Sequence, residues 1–248
     1  MTVYRVGTAD PPWECKDQLP GDGRGATKHY GTMATDQIAN MPYERTTSFR
    51  FPEFADHALM GMWRLAAMQD DASYILQQWK FKSKSEMIWA KYRPCTPCRG
   101  TGWQLDRDGV PMSDISGVKL KLLSTGFMGC TNRKRPIGLC YECDGSGCGT
   151  PWFGMGRYCR NSHETCILAT RGAMASKIKS HSILSMLHAP MPWNWDTNRP
   201  IHSAKPEVFY THVMQKLAAG PYVEMFGRRR RPGWTVLGNQ VGALRRVA

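Results

Sequence analysis

The chain predicts an α/β protein carrying a small metal-binding insertion, on three observations. Short apolar strands alternate with segments of helical spacing, the alternation resumes after an interruption, and the interruption holds two copies of CxxCxGxG. With 248 residues, 42% of them hydrophobic, the chain is long enough to bury a substantial core.

Taken in order, Val3 to Thr8 reads as a strand, and Gly21 to Lys28, with three glycines, as a loop able to close over a substrate. His57 to Trp63 reads as a strand and Ala67 to Trp79 as a helix with Tyr74, Ile75 and Trp79 on one side. Met87 to Lys91 reads as a further strand. Beyond the interruption, Thr165 to Ala169 and Ser182 to Leu187 are extended. Pro206 to Leu217 begins on proline and spaces Val208, Phe209, Val213 and Leu217 near a helical period. Tyr222 to Phe226 and Thr235 to Leu237 are the closing strands. The expected division is a main domain over 1–91 and 156–248 with an insertion over 92–155.

The formal charge of +13 favours a polyanionic partner and salt-sensitive binding. No apolar run approaches the roughly 18 residues that span a bilayer, and Met1-Thr2-Val3-Tyr4-Arg5 lacks a signal peptide's apolar core. No membrane partner and a cytoplasmic location are therefore expected. The sequence leaves the oligomeric state open.

Directly after the first strand come Ala9-Asp10-Pro11-Pro12-Trp13. The Asp10 carboxylate and the Pro11 carbonyl are two acceptors on a stretch whose φ is fixed by two prolines, and Trp13 adds a flat face for a base. Such a pair suits an exocyclic amine. The N6 amine of adenine is a poor nucleophile because its lone pair is delocalised into the ring, and two acceptors on its hydrogens return density to nitrogen. Taken alone, a Pro-Pro after a strand is equally a rigid turn.

Other motifs follow in a fixed order: Lys28-His29-Tyr30-Gly31, Glu86-Met87-Ile88-Trp89, His163-Glu164-Thr165-Cys166, Ser203-Ala204-Lys205-Pro206, Val223-Glu224-Met225-Phe226-Gly227-Arg228 and Gly238-Asn239-Gln240. The set resembles the adenine-N6 methyltransferase family, which includes the catalytic subunit of the messenger-RNA adenosine methyltransferase and bacterial and phage DNA methyltransferases of the β-class motif order. The resemblance implies a Rossmann-like, S-adenosylmethionine-dependent methyltransferase with Asp10, Pro11, Pro12 and Trp13 as the catalytic loop. It implies Tyr30, with Lys28 beside it, at the target base, and Lys205, Glu224, Phe226, Arg228, Asn239 and Gln240 at the cofactor. Their chemistry agrees: a cation, an acceptor for hydroxyls and an amide pair suit a carboxylate, a ribose diol and an adenine edge. Each also has an ordinary reading, Lys205 as a solvated helix start, Glu224 as a strand-end charge and Gly238-Asn239-Gln240 as a turn. One arginine of Arg228-Arg229-Arg230-Arg231 should reach the ribose, Arg228 matching best, with phosphates as partners for the others.

In the insertion, Cys95-Thr96-Pro97-Cys98 and Cys140-Tyr141-Glu142-Cys143 each open a CxxCxGxG copy similar to the zinc repeats of J-domain chaperones. Two thiolate pairs make one tetrahedral zinc site, with glycines letting backbone amides face the sulfurs. Disulfides or a redox dithiol are the alternatives, and nine cysteines without a signal peptide favour structural zinc. Cys15, Cys130, Cys148, Cys159 and Cys166 read as small buried residues. Trp103 to Leu139, with Lys119, Lys121, Arg133, Lys134 and Arg135, is a candidate nucleic-acid clamp or a stabilising ornament. The expected partner is nucleic acid, DNA before RNA by analogy with stand-alone bacterial and phage enzymes. RNA modification and a non-catalytic, nucleic-acid-binding relative are the alternatives.

Overall fold

Alternation of β-branched, small and sulfur-containing apolar residues with few charges makes strands buried on both faces, the pattern of a parallel sheet. The computed structural model describes residues 2–14, 31–44, 50–102, 121–122, 128–129, 140, 142–143, 146–154 and 158–238. The chain divides into two units, the first comprising Met1–Glu86, Thr165–His181 and Met214–Ala248, the second Met87–Glu164 and Ser182–Val213. The unit that holds the cysteine copies thus also takes in residues 182–213.

In the first unit, β1 (Tyr4–Ala9) lies between β2 (Phe54–Arg64) and β11 (Tyr222–Met225), parallel to both, and β12 (Trp234–Leu237) continues the parallel run beyond β11. β7 (His163–Arg171) pairs antiparallel with β2, Gly61 opposite Leu168, so the sheet is mixed. Val6, Thr8 and Ala9 are buried, as sequence patterning requires of a central strand. α1 (Thr35–Ala39) and α2 (Gln69–Gln78) cover the sheet. In α2 the spacing of Ala72, Ile75 and Leu76 gives a single buried stripe, with Asp70 and Asp71 in the first turn favoured by the helix dipole. The Thr35 hydroxyl donates to the Asp71 carboxylate at 2.6 Å, and the Trp79 indole donates to the Ile38 carbonyl at 3.0 Å, tying the helices together. The predicted helix from Ala67 begins instead as a 3-10 turn over Ala66–Met68. The one predicted from Pro206 is π-helical over Phe209–Met214 before α3 (Gln215–Leu217).

In the second unit, β3 (Lys82–Pro94), whose first five residues belong to the first unit, pairs with β6 (Cys148–Pro151) antiparallel and with β8 (Met186–Pro190) parallel. The Trp89 indole donates to the Ala189 carbonyl at 2.9 Å and fixes this pairing. Among the described residues two short antiparallel pairs also belong to this unit: β4 (Lys121–Leu122) with β5 (Met128–Gly129), and the hairpin of β9 (Trp193–Asn194) with β10 (Arg199–Pro200). Strand β8 starts four residues later than the extended run predicted from Ser182, while β2, β3 and β7 outrun their predicted ends because pairing neighbours extend them. Among the described residues no helix is long and apolar enough to cross a membrane.

Candidate functional site

Strand β1 hands the chain directly to the acidic-proline corner. Ala9 is in register with Met225 of β11 and with Met62 of β2, and Met225 is in register with Leu237 of β12. Asp10, Phe226 and Gly238 are therefore the next residues on three neighbouring parallel strands, at one level of the carboxyl edge. The strand order also reverses here, since the chain passes from β1 to β2 on one side and from β11 to β12 on the other. In open α/β sheets the crevice at such a point is where ligands bind.

The corner is held rather than free. The Pro11 carbonyl accepts the Trp13 amide at 2.9 Å and the Pro12 carbonyl accepts the Met33 amide at 2.8 Å. The Met33 carbonyl in turn takes the Glu14 amide at 3.3 Å. A carbonyl has two lone pairs, so Pro11 retains acceptor capacity beside its turn bond. Asp10 is half-buried and Pro11 buried. Trp13 corrects the sequence reading. Its indole is not an open stacking face but 5% exposed, packed in the core, and it donates to the Trp63 carbonyl at the end of β2 at 3.2 Å. Its role here is to anchor the corner. Replacing Trp13 with Ala should cost about 3–5 kcal/mol by cavity formation, and with Phe on the order of 1 kcal/mol for the lost hydrogen bond. Urea unfolding of the two variants checks this, and equal losses would contradict it.

On β11, Val223 and Met225 face the core while Glu224 points to the other face. The Glu224 carboxylate receives the Arg231 guanidinium, whose side chain is almost fully buried. The arginine paired with this carboxylate is Arg231, while Arg228, expected at the cofactor ribose, is half-buried. The cause is a turn. Arg231-Pro232-Gly233-Trp234 closes with the Trp234 amide on the Arg231 carbonyl at 3.2 Å and Gly233 at φ +74°, the proline and glycine positions of a type II turn. An Arg-Pro-Gly-Trp string was the signal that could have singled Arg231 out of the run.

Phe226 takes φ +62°, a conformation that strains a bulky side chain and is often stored at ligand sites. It is held there by the Gly227 amide bonding the Leu237 carbonyl at 2.9 Å, and by packing so close that a Cβ on Gly238 would collide with the Gly227 carbonyl. Lys28, Tyr30, Asn239, Gln240 and the loop 21–28 lie outside the described residues.

Lys205 belongs to the second unit. There Glu164 accepts Lys91 at 2.6 Å and Lys205 at 3.2 Å, two cations on one carboxylate. Burial raises the affinity of Glu164 for its proton, but Lys205 and Lys91 outweigh it and hold the carboxyl at about 2, below its ordinary 4.5. A folded value below the unfolded one adds stability above pH 4.5 that is lost as pH falls toward 2. Glu164→Gln should flatten that acid limb and cost on the order of 2–3 kcal/mol at neutral pH by leaving the buried Lys205 and half-buried Lys91 ammonium groups without this anion. Unfolding midpoints measured across that pH window check it, and an unchanged acid limb would contradict it.

The four predicted metal ligands converge in the second unit. The Sγ atoms of Cys95, Cys98, Cys140 and Cys143 lie within 4.8 Å of one another, all buried. Cys95 and Cys140 are 3.7 Å apart, Cys98 and Cys143 3.6 Å. A tetrahedron with zinc–sulfur bonds of about 2.3 Å has edges of about 3.8 Å, whereas a disulfide needs about 2.05 Å, so the cluster fits one zinc ion and not two bridges. Amides of Gly102 and Gly147 point at Cys98 and Cys143 Sγ at 3.4 and 3.3 Å, as thiolate ligands require. Burial pushes the Cys95 thiol up to about 11, so four thiolates together call for a cation. Cys148 and Cys166 are buried as expected, while Cys159 is exposed, in a bend. Cys15, Cys130 and, apart from the backbone of Lys121 and Leu122 and of Met128 and Gly129, the stretch 103–139 lie outside the described residues.

Residues 150–240 match the MT-A70 family. The MT-A70 segment contains β7, β11 and β12 and every residue assigned to the cofactor from the motifs, while Asp10 to Trp13 and the four clustered cysteines lie outside it. The chain is also similar to an MT-A70-like protein of Medicago truncatula named for N(6)-adenosine methyltransferase, 29% identical over 88 residues. That similarity covers 36% of this chain and 12% of the relative.

Proposed function

We propose that this chain is an S-adenosylmethionine-dependent methyltransferase acting on the N6 amine of adenine in nucleic acid, on a Rossmann-like sheet. The observation that carries the reading is the shared level of Asp10, Phe226 and Gly238 at the carboxyl edge, where the strand order reverses. The MT-A70 match over the cofactor half supports it.

The donor set at that edge fits the cofactor. Glu224, steadied by Arg231, is an acceptor for a ribose diol, Phe226 offers an aromatic edge, and Asn239 and Gln240, which follow Gly238 in sequence, are an amide pair for an adenine edge. Arg228 is a further cation in the same segment. By motif resemblance, Lys205 is the cation proposed for the cofactor carboxylate. When bound, S-adenosylmethionine supplies an electrophilic methyl on a sulfonium. The chain's own part is to grip the amine. Asp10 and the Pro11 carbonyl each accept one of its hydrogens, which returns lone-pair density to nitrogen and fixes its direction. On transfer the methyl's bond to sulfur would break, leaving a neutral thioether, and the amine would gain positive charge beside the Asp10 carboxylate, which would stabilise it until its proton leaves to solvent. The base must leave its stack to be held this way.

We further propose structural zinc on Cys95, Cys98, Cys140 and Cys143. DNA is the first substrate by analogy with the bacterial and phage enzymes of the same motif order, with the charge of +13 in keeping with any nucleic acid. The name of the relative, which specifies adenosine, favours RNA as the second reading. Incubation with methyl-labelled cofactor and matched single-stranded DNA, duplex DNA and RNA separates them. Label in one nucleic acid is expected. Cofactor binding without label in any would leave a non-catalytic binding protein, and absence of both would defeat the reading.

A further inference from the structure

The second unit carries a surface that the proposed chemistry does not use. Strand β3 has a register shift between Tyr92 and Pro94 against β6, and the residue at that bulge, Arg93, is exposed. A bulge re-aims its side chain, and here the Arg93 guanidinium lies over the Trp152 ring at 5.0 Å and the Trp193 ring at 5.8 Å. Trp152 and Trp193 meet edge to face at 5.9 Å, and Trp193 meets Trp195 at 6.4 Å. All three indoles are only partly buried, and Phe153, next in the chain, is 58% exposed.

Two rigid turns hold this row. In hairpin β9–β10, the Asn194 side-chain carbonyl accepts the amides of Asp196 and Thr197, and the Trp193 indole donates to Asn198 at 3.3 Å. In the first cysteine knuckle, the Gly100 amide bonds the Cys95 carbonyl at 3.1 Å and Arg99 takes φ +48°. That turn sets the exposed Arg99 guanidinium over the Trp195 ring at 5.9 Å. The cysteine cluster therefore braces a cation directly beside an aromatic platform.

Three partly exposed indoles interleaved with two exposed arginines present π-faces for stacking and cations for phosphates, on a chain of net charge +13. Duplex nucleic acid hides its base faces, so this chemistry selects unpaired bases. We propose that Arg93, Arg99, Trp152, Trp193 and Trp195 form a docking surface for a single-stranded segment of nucleic acid. It rests on the nucleic-acid reading above, whose substrate it narrows to an unstacked strand.

The test is fluorescence anisotropy of the full chain with a short fluorescein-labelled single strand of DNA, the same sequence as RNA, the DNA duplex, and labelled polyglutamate. Trp195→Ala should weaken single-strand binding about tenfold or more, with Trp195→Phe recovering most of it. Arg99→Ala should lower the slope of log affinity against log salt by about one. Zinc content and thermal midpoint, equal to wild type in Trp195→Phe and Arg99→Ala, separate docking from folding. Single-strand affinity untouched by Trp195→Phe, Trp195→Ala and Arg99→Ala, an equal loss on duplex, or tighter binding of polyglutamate would each overturn the surface. Methyl transfer by a wild-type chain whose strand affinity ignores these variants removes the surface and leaves the enzyme. Tryptophan-dependent strand binding by a chain that methylates nothing does the reverse.

Discussion

Asp10→Ala should lower the turnover of methyl transfer by about a thousandfold, the scale of losing a polar group that meets charge developing in the transition state. Cofactor affinity should stay within about threefold, because the residues proposed for the cofactor, Lys205, Glu224, Phe226, Arg228, Asn239 and Gln240, all lie outside the corner. Asp10→Asn is the sharper variant. It keeps an acceptor of similar shape but loses the negative charge facing the developing ammonium, so most of the loss should persist. Steady-state kinetics paired with equilibrium cofactor titration reads both quantities. A proportional loss of cofactor binding in either variant would mean that the corner shapes the cofactor pocket instead. Wild-type turnover in Asp10→Ala would remove the corner from the chemistry.

The second large effect concerns the cysteine cluster. Structural zinc in small knuckles contributes on the order of 10 kcal/mol to folding, and here the four ligands are drawn from segments whose paired cysteines are 45 residues apart in sequence. Without the metal the closure of so long a loop is opposed by chain entropy, and the Cys95 and Cys143 thiols are held up against ionisation, Cys95 first by burial and Cys143 first by the neighbouring Cys98 sulfur. Purified protein should contain one zinc per chain by elemental analysis. Cys98→Ser or chelation on warming should release it and open the second unit to proteolysis, while the sheet of the first unit remains folded. Full zinc content in Cys98→Ser, or an unchanged protease pattern in the metal-free protein, would contradict the assignment. Loss of Arg99's bracing should follow zinc loss, weakening strand binding by the same route as Arg99→Ala.

Features set by local spacing were legible in the sequence. Apolar alternation located β1, β2, β7, β11 and β12, because burial on a pleated sheet repeats every second residue. The doubled CxxCxGxG pattern located the four clustered cysteines for a like reason: two thiols and their turn are fixed within a few residues. What the sequence left hidden depends on distant partners. Trp13 reads as a stacking face until the Trp63 carbonyl, 50 residues on, claims its indole hydrogen. Arg228 and Arg231 are alike in composition, and only the Pro232-Gly233 turn turns the latter onto Glu224. The tryptophan row draws on residues 93, 99, 152, 193 and 195, which share no local pattern and meet only when hairpin β9–β10 is formed. Lys205, read as a cofactor contact, meets Glu164 and thereby Lys91, a contact 73 residues apart on the lysine side.

In the proposed reaction the corner after β1 directs a methyl group onto the exocyclic nitrogen of adenine. Its most direct measurement is mass spectrometry of nucleosides released from a single-stranded oligonucleotide after incubation with trideuteromethyl-labelled S-adenosylmethionine. The label is expected on N6 of adenine with the wild-type chain and at background with Asp10→Asn. Label on a ring nitrogen or on another base, or equal N6 labelling by both proteins, would contradict it.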